Sequence, residues 1–519
     1  MIQLDGNSLT IQQIKQVSFE SEEVSLSPEA AEKINLSRRW VEDIITKGKP
    51  VYGINTGFGI FADRQISSHE TRQLNRNLIL SHAVGTGDPL PQEVVRAAML
   101  IRANTLAKGL SGVRIVLIET LLEMLNRGVH PMIPSQGSLG SSGDLSPLSH
   151  LGLVFSTDED DLDELSGQAE YKGTTMSGKT AMQKAGIPRL ILQAKEGIAI
   201  NNGATFSAAI AALACFEAQN LLSVAEIALS MSLEALLGLS SAFDPRIHES
   251  RPHPGQIAVA ARIRAITQGS TLLDSTKRVQ DAYSLRCSPQ VHGPALETLN
   301  FASSVITCEI NAATDNPLLF SENEAISGGN FHGEPIGLVM DYLSIVMTEI
   351  CGISERRVYR LINQSFNENL PAMLVDQHEE AGLNSGMMML QYTSASLVLE
   401  NRSLASPDST NSLPTSAGQE DHNANSMTAA RHTRQILNNT AHVLAIELYT
   451  ASRALYIRKR ELPNTRFGKG TTAAHLCLRD SVPYQAGDAL WGPEIDTVRR
   501  LIKEGKITGA VAKTLDNSP

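Results

Sequence analysis

Residues 137–150 read Gly-Ser-Leu-Gly-Ser-Ser-Gly-Asp-Leu-Ser-Pro-Leu-Ser-His, a run of small residues that gives way to a more apolar segment. Its centre is the triplet Ser141-Ser142-Gly143. Glycine has no Cβ, so the backbone nitrogen of Gly143 can approach another backbone atom closely. The carbonyl carbon of Ser141 is at the separation along the chain that a five-membered ring requires. The triplet is therefore a candidate for internal cyclisation.

Cyclisation of this triplet would create an unusual electrophile. Attack of the Gly143 nitrogen on the Ser141 carbonyl carbon, with loss of water, gives an imidazolone. Loss of the Ser142 hydroxyl as a second water leaves an exocyclic methylidene. The product is 4-methylidene-imidazol-5-one (MIO), and no ordinary side chain supplies such a group. A bare Ser-Ser-Gly is also typical of an unreacted flexible loop, so the surrounding sequence has to decide between the two interpretations.

The composition argues against several classes of protein. The chain has 519 residues, which is enough for two or more structural units. The net charge of −11, without a basic block, argues against a nucleic-acid partner. The N-terminus does not resemble a signal peptide, and no apolar run reaches the roughly 18 residues of a membrane span. We therefore expect a cytoplasmic protein with no membrane partner.

The cysteines indicate reduced thiols and no metal site. Their number is odd, and none of their spacings matches a CxxC or metal-ligand pattern. The five residues are Cys215, Cys287, Cys308, Cys351 and Cys477.

Apolar residues recur at three- and four-residue steps over much of the chain, which predicts a mainly α-helical fold. Charges are sparse on every face of 207–239, so this helix should be buried in a bundle or an oligomer interface. A short strand is expected at 8–11 and a small hairpin near Tyr171. Helices are predicted at 27–47, 68–127 with a break at 85–91, 206–239, 295–311, 335–363, 385–404 and 426–458.

Two segments match nucleotide-binding motifs by chance. Residues 173–180 fit the pattern GxxxxGK[ST], but the residues before them are too polar for the buried parallel strand that this motif needs. Residues 57–62 imitate a dinucleotide fingerprint without an acidic residue about 20 positions later. The first match leaves a nucleotide-binding protein as an alternative from a different functional class.

The stretch at 137–150 closely resembles the Gly-Ser-x-Gly-Ala-Ser-Gly-Asp-Leu-x-Pro-Leu-x-His block of the aromatic amino-acid ammonia-lyases. Ser141 stands where alanine is usual, and since only its backbone carbonyl enters the ring, we expect cyclisation to proceed. The resemblance extends from Tyr52 to about Arg458. Further blocks follow in the family's order at 52–59, 201–203, 280–290, 313–317 and 329–333.

This resemblance implies a fold and an assembly. The fold is a long-helix bundle with a smaller α+β N-terminal part that carries the MIO loop. Its domains would be an MIO-bearing domain at 1–200, and a long-helix bundle with a C-terminal helical region at 201–519. The assembly is a homotetramer with shared active sites. The MIO group formed from Ser141-Ser142-Gly143 would need no external cofactor and no metal.

The resemblance also implies roles for single residues in the removal of ammonia from an amino acid. The catalytic residues would be the triplet, Tyr52, Tyr283 and Asn202. Tyr52 would be the base that removes the β-proton, Tyr283 would relay a proton, and Asn202 would donate a hydrogen bond to the imidazolone oxygen. Arg286 would bind the substrate carboxylate, because its planar guanidinium matches two oxygens. The remaining substrate-binding residues would be His82, Gln280, Asn316, Phe331, Met388, Gln391 and Glu420.

Two positions indicate which amino acid is bound. Ser81-His82 and Gln419-Glu420 match the blocks of histidine-type lyases. A carboxylate at Glu420 suits an imidazole, which carries an N–H donor, better than an apolar phenyl ring. We therefore expect conversion of L-histidine to trans-urocanate.

Departures from the family pattern keep other interpretations open. They occur at Asn201, Ala204, Tyr392 and 423–426. The alternatives are a phenylalanine or tyrosine ammonia-lyase, an MIO-dependent aminomutase, and a helical scaffold without catalysis.

Overall fold

The structure is a computed structural model that describes residues 1–48, 50–57, 64, 66–67 and 70–516. Phe58 and Gly59, most of the 57–62 motif match and the helix start predicted near Ser68 lie outside the described residues.

Helices dominate the described part of the chain, so the predicted mainly α fold class is confirmed. The second helix shows why the sequence folds in this way: Ser27 accepts a hydrogen bond from Ala30 N, Pro28 occupies the first turn, and Gly48 ends the helix at φ +68°. The helices are α1 Ile11–Glu20, α2 Pro28–Lys47, α3 Thr71–His82, α4 Gln92–Ala107, α5 Ile115–Arg127, α6 Leu145–Phe155, α7 Gly178–Ala185, α8 Glu196–Asn201, α9 Thr205–Ala235, α10 Pro245–Glu249, α11 Pro254–Ile266, α12 Tyr283–Arg286, α13 Ser288–Glu309, α14 Glu334–Ile362, α15 Met388–Leu404, α16 Ser426–Glu461, α17 Lys469–Ser481, α18 Trp491–Lys503 and α19 Lys506–Asp516.

Short strands form several small sheets rather than one large one. The strands are β1 Ile2–Leu4, β2 Val24–Leu26, β3 Thr86–Pro89, β4 Val129–Pro131, β5 Pro134–Gln136, β6 Ser156–Thr157, β7 Gln168–Tyr171, β8 Thr174–Ser177, β9 Leu190–Ile191, β10 Leu318–Ser321 and β11 Glu324–Ile326. β1 pairs with β2 and β6 with β9 in parallel, whereas β3–β5, β4–β7–β8 and β10–β11 are antiparallel. The hairpin predicted near Tyr171 is the β7–β8 pair.

The chain divides into two compact units. The first comprises Met1–Phe216, Ala302–Asp341 and Pro407–Arg431, and it contains every strand given above. The second comprises Glu217–Phe301, Tyr342–Ser406 and His432–Pro519, and its described residues form helices and no strand. Both units are discontinuous in sequence because long helices such as α9 and α16 begin in one unit and continue in the other. The division into domains at 1–200 and 201–519 stays a prediction.

Two expectations about the N-terminal half are wrong. The strand predicted at 8–11 is a helix start, because Thr10 and Gln13 form a reciprocal capping box at the first turn of α1. The helical segment predicted up to Arg127 has a second break, at 108–114, between α4 and α5. Gly109 and Gly112 adopt left-handed conformations there, with φ of +74° and +67°.

Two helices are long and apolar enough to cross a membrane by length and composition, contrary to the expectation that no such run exists. They are α9 and α14, with mean hydropathies of 1.5 and 1.6 over 18 residues. Those windows are 72% and 61% buried inside the protein, as is usual for the core helices of a globular protein.

Candidate active site

The triplet lies in the loop between β5 and α6, where backbone packing admits only glycine at one position. Gly143 has φ +79° and pairs with Gly203 through a parallel bridge. A Cβ added to Gly143 would lie 2.1 Å from the Gly203 carbonyl carbon and 2.4 Å from its Cα. The loop is therefore pressed against the 203 backbone at the nitrogen that the predicted cyclisation uses.

Two N–H donors meet at the carbonyl oxygen of Ser142, which would become the oxygen of the imidazolone ring. The Asn202 side-chain amide donates to it over 2.8 Å, and the backbone N–H of Gly203 donates over 3.2 Å. Donors at this oxygen withdraw electron density from the atoms bonded to it. Asn202 was predicted to donate to the imidazolone oxygen, and in the structure it donates to the Ser142 oxygen from which that atom would derive.

Asp144 fixes the end of the loop. Its carboxylate is fully buried and accepts hydrogen bonds from the Ser138 hydroxyl at 2.7 Å and from the Ser207 N–H and hydroxyl at 2.8 and 2.9 Å. Burial raises the pKa of this carboxyl, and these hydrogen bonds oppose the shift. Its own backbone N–H donates to Gly203 O, so the loop is held at side chain and backbone alike.

A second set of contacts braces the start of the loop. Gly333 N donates to Gly140 O at 2.9 Å, and Asn425 N donates to Leu139 O at 2.7 Å. The hydroxyl of Ser426 lies 2.9 Å from that of Ser207, which in turn donates to Asp144 of the loop. Sequence reasoning did not assign roles to Gly203, Ser207, Gly333 and Ser426. The small size of these residues was the only available signal.

Glu420 reaches the triplet directly. It accepts hydrogen bonds from the hydroxyls of Ser142, at 2.8 Å, and of Ser141. Burial lowers the pKa of His82, and the negative charge of Glu420 acts in the opposite direction on the same ring. The structure therefore places Glu420 at the triplet, and the charge of this carboxylate acts on the His82 ring.

The Tyr52 segment packs against the Asn316-Pro317 turn. Gly53 has φ +73°, and a Cβ there would lie 2.9 Å from Pro317 Cδ and 3.6 Å from Asn316 O. The Asn316 amide is held by Ser327 Oγ at 3.0 Å and by Gly328 N at 2.8 Å. Tyr52 itself is half-buried and lines a cavity with residues of α2 and of the β10–β11 hairpin.

Phe331 is half-buried in the turn that His332 N closes on Gly329 O at 3.0 Å. The turn leads directly to Gly333, whose N–H forms a hydrogen bond with Gly140 O in the triplet loop.

The other five predicted site residues belong to the second unit. The guanidinium of Arg286 lies over the ring of Tyr283 at 4.8 Å, and Arg286 Nε is buried without a described partner. Tyr283 is 70% exposed, and Gln280 is also exposed. Met388 and Gln391 lie on the first turn of α15, where Gln391 donates to Glu355 at 2.7 Å. Gln280, Tyr283 and Met388 are thus exposed on the surface of that unit, whereas Arg286 and Gln391 are half-buried.

At 423–426, where the sequence departs from the family pattern, the Asn423 and Asn425 side chains bond to the backbone of the 408–413 segment. The Asn423 amide donates to Leu413 O, and the Asn425 amide donates to Asp408 O and Asn411 O at 3.0 and 3.1 Å. Asn201 is buried, donates weakly to Ser149 Oγ at 3.4 Å, and its Oδ1 has no described partner. Ala204 is buried, and Tyr392 is 61% exposed.

The GxxxxGK[ST] match at 173–180 is not a phosphate-binding loop. Its first half forms an antiparallel hairpin strand, β8, rather than the end of a buried parallel strand. Lys179 Nζ donates to Asp161 O at 2.6 Å and lies 3.3 Å from the Asp161 carboxylate.

We expect Lys179→Ala to leave the rate of the predicted ammonia elimination within about twofold of the unsubstituted chain. The contacts described for the Lys179 side chain are a partly exposed ion pair and one hydrogen bond to a backbone oxygen, and their loss costs little. Calorimetric titration with ATP should show no binding to either protein. ATP binding that this substitution abolishes would reinstate the nucleotide-binding alternative.

Within the described ranges no group of three or more His, Cys, Asp or Glu residues is arranged to hold a metal ion.

Residues 9–480 match the family described as aromatic amino acid lyase. The chain is 48% identical to a histidine ammonia-lyase of Caldanaerobacter subterraneus subsp. tengcongensis over 97% of both chains. Among solved structures, it is similar to histidine ammonia-lyase from Trypanosoma cruzi, with 36% identity, a TM-score of 0.90 and coverage of 99% and 95% of the two chains. It is also similar to tyrosine aminomutase from Streptomyces globisporus, with 32% identity, a TM-score of 0.92 and coverage of 100% and 99%.

Proposed function

The chain belongs to the aromatic amino acid lyase family, and from that premise we propose that it converts L-histidine to trans-urocanate and ammonia. It is an ammonia-lyase, an enzyme that breaks a carbon–nitrogen bond. The observation that carries the choice of histidine is the Glu420 carboxylate, which lies at the triplet and in the electrostatic environment of His82. An imidazole N–H can donate to such a carboxylate, whereas a phenyl ring offers it no donor.

The residues present fit an MIO group at 141–143. The Gly143 position has no space for a side chain, and the oxygen of Ser142 already has its two donors. When formed, the group would supply an electrophilic carbon for the substrate amine. Asn202 and Gly203 would make that carbon more electron-poor by hydrogen bonding to the ring oxygen.

The remaining roles concern the substrate and its protons. Tyr52 removes the β-proton as the Cα–N bond breaks, and Tyr283 relays a proton to the departing amine. Arg286 binds the carboxylate, while Asn316 and Phe331 enclose the reacting centre. On the imidazole side, Glu420 and His82 bind the ring nitrogens, Met388 packs on the ring, and Gln280 and Gln391 complete the pocket.

The assembly proposed is a homotetramer whose active sites take residues from more than one subunit. Its support is the apolar surface of the second unit, where large side chains face solvent in the single chain. Tyr342, Ile345, Met389, Tyr392 and Leu399 are between 43% and 61% exposed. Surface of this kind is typical of an interface.

The cytoplasm is the proposed location. Each of the five cysteines is a free thiol, which fits a reducing compartment.

The experiment that tests this function combines intact mass with an ultraviolet assay on histidine, phenylalanine and tyrosine. We expect the chain to have lost two waters and to form urocanate from histidine. Cinnamate or coumarate would contradict the substrate, and a β-amino acid would indicate an aminomutase. An unreacted mass without activity would contradict the enzyme mechanism.

Glu420→Ala is expected to lower kcat/KM for histidine about 10- to 100-fold, the range for loss of a hydrogen bond to a charged group. The matched control is Asp421→Asn, which removes the exposed neighbouring carboxylate and should change kcat/KM less than about twofold. Steady-state urocanate formation measures both. Equal losses in the two variants would contradict a specific contact between Glu420 and the imidazole.

A further inference from the structure

Ser141 departs from the residue that the resembling lyases carry, and its hydroxyl has a specific partner. The residue is 6% exposed, and its hydroxyl donates to Glu420 Oε2 across a sequence separation of 279 positions. Alanine, the usual residue, has no such donor. Since the cyclisation uses only the backbone carbonyl of this residue, the hydroxyl is free to serve another purpose.

The Glu420 carboxylate depends on hydroxyl donors. Ser142 donates to Oε1 at 2.8 Å, and Thr415 lies 3.5 Å from Oε2, at the limit for a hydrogen bond. Within the described part of the chain Glu420 forms no ion pair closer than 4.0 Å. Formation of the electrophile removes the Ser142 hydroxyl as water. Ser141 is then the one close donor left among these three hydroxyls.

We propose that Ser141 is a positioning residue, whose hydroxyl holds the Glu420 carboxylate in place for the substrate imidazole once Ser142 has lost its own hydroxyl. This inference rests on the proposed function and adds to it a residue that acts through Glu420. It explains why a hydroxyl is tolerated at a buried position: a buried hydroxyl is costly without a partner, and a charged acceptor is a strong one.

The alternative is that the hydrogen bond only satisfies the buried hydroxyl. A double-mutant cycle separates the two, because a residue that acts through Glu420 has no effect once Glu420 is gone. The variants are Ser141→Ala, Glu420→Ala and the combination of both. Ser141→Thr keeps the hydroxyl and tests rescue. Ser146→Ala is the matched control, since Ser146 lies in the same segment and its buried hydroxyl has no described partner.

We expect every variant to lose two waters, as measured by intact mass. Ser141→Ala should lower kcat/KM for histidine about tenfold, which corresponds to one charge-assisted hydrogen bond. In the Glu420→Ala background the same substitution should change kcat/KM less than about twofold. Ser141→Thr should recover most of the loss, and Ser146→Ala should have no effect beyond about twofold.

The same tenfold loss in both backgrounds would overturn the inference, as would full activity of Ser141→Ala. Failure of the proposed function looks different, because the unsubstituted chain would then turn over phenylalanine or tyrosine instead of histidine. With such a substrate no imidazole would meet Glu420, so the inference would fall together with the proposed function. A chain that keeps both waters would overturn both.

Discussion

The Gly143→Ala variant is expected to keep the mass of the unreacted chain. Its ammonia-lyase activity should fall at least about a thousandfold, as is typical when a covalent catalytic group is removed. The added Cβ would lie 2.1 Å from the carbonyl carbon of Gly203. The loop would have to move away, and the nitrogen of residue 143 would move with it. The geometry that brings this nitrogen to the Ser141 carbonyl carbon would then be lost.

The left-handed conformation of Gly143 is a second source of strain, so the control has to separate strain from packing. Gly173 has φ +75° in the β7–β8 hairpin, and a Cβ there would meet no atom within 4 Å. Gly173→Ala therefore carries the same backbone cost, about 1–2 kcal/mol, without the collision. It should lose two waters and keep its activity, at a somewhat lower melting temperature.

Intact mass and urocanate formation measure both variants. Full loss of two waters in Gly143→Ala would contradict the packing argument, since the loop would then tolerate a side chain against Gly203. Failure of both variants would assign the effect to backbone strain in general.

Local signals predicted much of the fold. The long helices at 205–235, 334–362 and 426–461 were predicted to within a few residues, because apolar periodicity persists over many turns. The start of α2, predicted at residue 27, agrees with the N-cap at Ser27 and the proline at 28. The break at 108–114 was missed because the apolar pattern continues through it, and only Gly109 and Gly112 indicate it.

In the site, too, local features were predicted and long-range contacts were not. The triplet and Asn202 carry local motifs, and the predicted donor–acceptor pair at Ser142 O is present in the structure. The contact of Glu420 with Ser141 joins residues 279 positions apart, and no spacing rule predicts such a contact. The bracing by Gly203, Ser207 and Ser426 was also missed, because small residues carry no chemical signal until the fold brings backbones together.

The second large effect concerns Asn202. Asn202→Ala is expected to lower kcat about 100- to 1,000-fold with full loss of two waters, because one of the two donors at the ring oxygen disappears while the loop keeps its backbone contacts. Gly203 N, at 3.2 Å, is the longer of the two hydrogen bonds and remains as the weaker donor. The effect should fall on kcat rather than on KM, since this donor acts on the electrophile and not on the substrate.

The neighbour Asn201 provides the control for this substitution. It is also buried, the one hydrogen bond described for its side chain is long at 3.4 Å, and its Oδ1 has no described partner. Asn201→Ala should therefore leave kcat within about threefold, because little is lost with the amide. Steady-state kinetics together with intact mass separate two causes of a low rate. An Asn202→Ala chain that retains its waters would show that the amide is needed to form the ring, whereas a fully reacted chain with unchanged kcat would contradict its role in activating it.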